Sequence, residues 1–114
     1  MSDPGGGFVA VLVLDLHFPE AGSLKAKRKD LQSIKAILHR RFGATVAETD
    51  YHDLWQRARL TVALVSGSAA HLDEVIDHMC GWLDARCPAG VRTERMFAST
   101  DDLRDVMSTL RLGG

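Results

Sequence analysis

The chain has 114 residues, of which 46% are hydrophobic and 25% charged, with a formal net charge of −1. That size and balance predict a single globular domain with one core and exclude the uniformly basic profile of a histone-like or polybasic-tail protein. The longest apolar run, Phe8 to Leu14, is too short to span a bilayer and no charged-then-apolar leader opens the chain, so the expectation is a soluble, cytoplasmic protein without a membrane partner.

MSDPGGG (1–7) is expected to be flexible, because glycine loses much backbone entropy on ordering and these residues have little to bury. FVAVLVLDLHF (8–18) is a nearly continuous Val/Leu run, the signature of a central strand covered on both faces. Pro19 and Gly22 break it, and Ser23 is placed to cap a helix whose apolar residues Leu24, Leu31, Ile34, Leu38 and Phe42 recur at helical spacing until Gly43. ATVAETD (44–50) and RLTVALVSG (59–67) predict an antiparallel hairpin around YHDLWQ. Ser66 or Ser68 then caps a second helix with Leu72, Val75, Ile76, Met79 and Leu83 as its stripe, ending at Pro88 and Gly90. VRTERMFAS (91–99) is a fourth strand. In the last segment, 100–114, Leu103, Val106, Met107 and Leu110 fall at i, i+3, i+4, i+7, with Thr100 as a cap, predicting a short helix or a tail that orders on a partner.

The order is β-α-β-β-α-β, which predicts an α+β, ferredoxin-like sandwich over 8–99: a four-stranded antiparallel sheet with two helices on one face. Alternation puts Leu12, Leu14 and Leu16 on the helix side and Val9, Val11, Val13, Asp15 and His17 on the other. In the third strand Leu60, Val62 and Leu64 face the helices, leaving Arg57, Arg59, Thr61, Ala63 and Val65 opposite. That second face is too apolar to remain wet, so either the C-terminal segment or a second subunit, in a homo-oligomer, should cover it.

Residues 23–42 hold seven Lys/Arg against one acid, Asp30, and Lys25, Lys27, Arg28 and Lys29 stand in the first turns, against the preference of the helix dipole. Lys25 and Lys29 fall on the outward face and Arg28 at its margin. Lys27 falls near the apolar stripe, where its stem can run over the core edge and bring the ammonium to the end of the sheet. A solvated face, partly neutralised by the acidic second helix (68–87), is the plain reading of such a run. The functional reading is a phosphate-binding patch extended by Arg57, Arg59 and His17, with RNA as the anion. Base stacking on the sheet is not expected, because Val11, Val13, Thr61 and Ala63 occupy the positions where aromatic residues would be needed.

DYHDLWQRA (50–58) gathers Asp50, His52, Asp53, Trp55, Gln56 and Arg57. Asp50, His52 and Asp53 are types that serve metal binding or proton transfer, whereas aspartates in a hairpin loop also favour turns and Trp55 can close the end of the core. His71, Glu74 and His78 are spaced too widely for one ion. Cys80 and Cys87 form no C-x-x-C pair and are expected to be reduced. No nucleophile elbow, zincin motif or phosphate loop is present, so no catalytic residue, metal or cofactor is assigned.

The stretches LDLHFPEAGSLKAKRKDLQSIKAILHRRF and VAETDYHDLWQRARLTVALVS, with a helix beginning at AHLDEV, resemble the YlxP-like family of small bacterial proteins over roughly residues 8–97, most specifically in SLKAKR (23–28) and DYHDLWQRA (50–58). The resemblance implies a ferredoxin-like sandwich. Family genes often neighbour those for translation initiation and ribosome maturation, which implies a role with RNA or the small ribosomal subunit, without a residue role. Ser23, Lys25, Lys27, Arg28, Asp50, His52, Asp53, Trp55, Gln56 and Arg57 are the matching motif positions. The leading expectation is therefore a non-enzymatic binding protein for RNA or a ribosomal particle; a protein-interaction or homo-oligomerisation module and a small metal-dependent enzyme using Asp50, His52 and Asp53 are the alternatives.

Overall fold

In the computed structural model, which describes residues 6–113, strand β1 (Phe8–His17) is followed by α1 (Leu24–Phe42), β2 (Thr45–Asp50), β3 (Arg57–Ser66), α2 (Ala69–Arg86), β4 (Val91–Ser99) and α3 (Thr100–Gly113). The strands form one antiparallel sheet in the order β2-β3-β1-β4. This is the ferredoxin-like α+β sandwich expected from the element order, with α1 and α2 on one face.

Alternation in the strands sets the core. Leu12, Leu14, Leu16, Leu60, Val62 and Leu64 are buried against Leu31, Ile34 and Leu38 of α1 and Leu72, Ile76, Met79 and Leu83 of α2. The Ser23 hydroxyl accepts from the Ala26 N–H at 3.1 Å and begins α1. Gly43, at φ 70°, ends it in a left-handed cap, its N–H bonded to the His39 carbonyl and that of Ala44 to the Leu38 carbonyl. Of the two serines before α2, Ser68 is the cap, accepting from the His71 N–H.

Two details depart from the sequence expectation. The cap of α3 is Ser99 rather than Thr100: the Ser99 hydroxyl accepts from the Asp102 N–H while the Asp102 carboxylate accepts from the Ser99 N–H, each at 3.0 Å. At the other end of the domain, residues 1–5 of the segment expected to be flexible lie outside the described residues, but the Gly7 carbonyl accepts from the Thr100 N–H and extends the β1–β4 ladder.

A bulge separates Glu48, opposite Leu60, from Asp50, opposite Arg59. The extra residue turns Asp50 onto the face away from the helices and leaves Glu48 pointing under α1. Residues 51–56 then close the hairpin, and Tyr51 enters them with φ 63°, a left-handed backbone that no other non-glycine residue adopts among the described residues.

Candidate nucleic-acid interface

The buried cation of α1 is built first. Lys27 lies one turn before Leu31 on the inward stripe, and its side chain is 1% exposed. Its ammonium sits beneath the 51–57 segment and donates to the carbonyls of Tyr51 (2.7 Å), Leu54 (2.7 Å) and Arg57 (2.9 Å), with that of His52 at 3.5 Å. Glu48 Oε2, buried and without a hydrogen bond, faces the ammonium at 3.5 Å. Backbone oxygens thus satisfy the three N–H groups of a desolvated ammonium, and the carboxylate balances its charge. Among the four cations of the first turns, Lys27 is the exception: it does not reach solvent and cannot touch a phosphate.

Lys25, Arg28 and Lys29 are exposed, no acid occupies the first turn of α1, and none of the three pairs with an acid among the described residues. The expected neutralisation by α2 takes another form. The ion pair between the helices joins Arg86 of α2 to Asp30 of α1 at 3.8 Å, and Asp77 of α2 turns to Arg95 of β4.

Arg57 and Arg59 belong to the opposite face of the sheet. Arg59 donates through Nε to Asp15 Oδ1 at 2.8 Å, through Nη1 to Asp50 Oδ2 at 3.4 Å and through Nη2 to the Tyr51 hydroxyl at 3.2 Å. The guanidinium of Arg57 stacks over the Tyr51 ring with its carbon 4.2 Å from the centroid. The Arg59 guanidinium holds the Asp15 carboxyl below its ordinary range, by hydrogen bond first and charge second, against the opposing effect of burial. The sheet therefore divides the six expected contact residues into an outward trio on α1, a buried lysine and two engaged arginines on the other face.

The loop residues do not converge either. Asp50 accepts from the Tyr51 N–H and from Arg59. His52 Nε2 lies 3.9 Å from Glu48, while Asp53 is exposed. Gln56 ties the loop to the end of β1, its carbonyl accepting from the Phe18 N–H and its side chain donating to the Pro19 carbonyl at 3.2 Å. Trp55 does not close the core: with Leu54 it is about half exposed on the loop's outer side. No group of three or more His, Cys, Asp or Glu is arranged to hold a metal among the described residues. Cys80 and Cys87 are free thiols, both pushed up in pKa, chiefly by burial. No helix among the described residues is long and apolar enough to cross a membrane.

Sequence reasoning missed Tyr51, Asp15 and Glu48. Glu48 had a signal: alternation from Val46 places it on the helix side of β2, and an inward carboxylate beside an inward lysine implies a pair.

The chain is similar to known proteins in both sequence and fold. It is 32% identical over 66 residues to "Uncharacterized protein YlxP" of Bacillus subtilis (strain 168), an alignment spanning 58% of this chain and 72% of that protein. Among solved structures it superposes on the "De novo designed protein Foldit4" with a TM-score of 0.54 at 7% identity, covering 81% of this chain and 96% of that one. The designed protein LFR1 1 "with ferredoxin fold" gives 0.44 at 15% identity, covering 79% and 83%. Residues 9–96 match the sequence profile of the family described as "Protein of unknown function (DUF503)", and the chain, which carries SLKAKR and DYHDLWQRA within that span, belongs to this family.

Proposed function

We propose that the protein is a non-enzymatic, cytoplasmic binding protein that contacts the phosphates of RNA, on a ribosomal particle, through Lys25, Arg28 and Lys29. The observation that carries this reading is a trio of exposed cations at the start of α1, with no acidic partner among the described residues, where first-turn N–H groups add a favourable dipole for an anion. Lys27 serves the same end indirectly, by anchoring the start of α1 to the hairpin loop so that its neighbours are presented from a fixed backbone. The two engaged arginines are left out of the contact set.

Gradient sedimentation of the tagged protein with ribosomal particles at low and raised salt tests the proposal. Co-migration that fades with salt, and is lost in a Lys25→Glu/Arg28→Glu/Lys29→Glu variant with an unchanged far-ultraviolet spectrum, is the expected result. Equal co-migration of variant and parent overturns it.

A further inference from the structure

Helix α3 presents Leu103, Val106, Met107 and Leu110 on one side, and all four are exposed. A helix of 14 residues is marginal in water, and such a stripe marks one that rests on another surface. The same chain has a second uncovered apolar surface. On the face of the sheet away from the helices, Val9, Val11 and Val13 of β1 align with Val65, Ala63 and Thr61 of β3, with Met96 across from Val11 on β4. Val65 is 79% exposed there.

The expected covering of this face by the chain's own C-terminal segment does not occur. β4 passes into α3 between Ser99 and Thr100 with no intervening residue, and the Ser99–Asp102 capping box fixes the exit direction. Without a connecting loop the helix has no means of reversing onto its own sheet. It leaves from the end at which Phe8 pairs with Ser99, the apolar end of the face, while Asp15, Arg57 and Arg59 make the far end polar.

We infer that two copies of the chain cover each other, the α3 of one lying across the apolar half of the open sheet face of the other about a two-fold axis. Each copy has one uncovered stripe and one uncovered face, so a single isologous contact buries both, whereas an unrelated partner would need two matching surfaces. The dimensions agree: α3 is about 21 Å long, and the apolar half of β1 runs for about 17 Å beneath a sheet about 19 Å wide. A stable interface needs about 800 Å² per partner, so each of the two symmetric helix-on-sheet contacts has to remove about 400 Å² from each chain.

Sedimentation velocity over a wide concentration range tests the dimer. Met107→Asp on α3 and Val65→Asp on the sheet replace exposed side chains and leave the isolated fold intact, as far-ultraviolet circular dichroism can verify. The parent is expected at twice its chain mass of 12.5 kDa, and each variant at the chain mass, with dimer affinity weakened at least about tenfold. An equimolar mixture of the variants, which retains one intact helix–sheet contact, is expected to recover dimer. The Lys25→Glu/Arg28→Glu/Lys29→Glu variant should sediment as the parent does, which separates this inference from the phosphate contact. A parent that stays monomeric throughout, or a dimer indifferent to both aspartates, overturns it.

Discussion

The Lys27 ammonium donates at 2.7 Å to the carbonyl of Tyr51, the residue whose backbone is left-handed at φ 63°. The turn that this conformation produces aims several carbonyls at one point, and the buried cation occupies that point. Lys27→Met keeps the stem's packing but strands the carbonyls of Tyr51, Leu54 and Arg57 and the Glu48 carboxylate. A loss of about 3–5 kcal/mol in unfolding free energy by denaturant titration is expected. Hydrogen exchange should rise most in residues 51–57; unchanged exchange there would remove the anchor role.

The backbone of Tyr51 can be separated from its ring. Tyr51→Ala and Tyr51→Gly both delete the stack with Arg57 and the hydroxyl that accepts from Arg59. They differ in the cost of positive φ, so the glycine variant should be the more stable by about 1 kcal/mol. Equal stabilities would mean that the loop relaxes once the ring is gone.

Asp15 gives the fold an acid limb. Its folded pKa is lowered from the ordinary 3.8, first by the hydrogen bond from Arg59, so the folded state prefers the carboxylate. The contribution is complete above the unfolded value and is lost as pH falls through the folded one. In thermal melts from neutral to strongly acidic pH, Asp15→Asn should be less stable than the parent at neutrality and should converge on it below pH 3.8. Parallel curves across the whole range would assign the pair no pH-linked role.

For the phosphate contact, three exposed cations set the expected salt dependence. Replacing Lys25, Arg28 and Lys29 by Gln should lower the slope of log K against log salt by about 2 on single-stranded RNA. A slope unchanged by the triple replacement would place the contact elsewhere on the molecule.

Much of this architecture can be read from short-range pattern. The period of two in FVAVLVLDLH and RARLTVALVS separates the two faces, and Ser23 and Gly43 bracket α1 as cap chemistry dictates. Even the inward placement of Lys27 follows from its spacing to Leu31 and Ile34. What the ammonium meets does not, because that depends on a bulge between Glu48 and Asp50 and on a left-handed tyrosine, neither of which has a residue signature such as glycine. The bond from Arg59 to Asp15 joins residues 44 apart and arises only when β1 pairs with β3. The cations of SLKAKR look alike in the sequence; one turn of helix sends one inward and leaves the others in water.

The sheet also orders events during synthesis. β1 is central, with β3 on one side and β4 on the other, and its first residue, Phe8, pairs with Ser99, the last of β4. A nascent chain made from its amino end can assemble β1, α1, β2 and β3 before residues 91–99 have emerged to pair, and until then one flank of a Val/Leu-rich strand stays unpaired. Any delay in the emergence of β4 should lengthen the interval in which that flank is open to another chain.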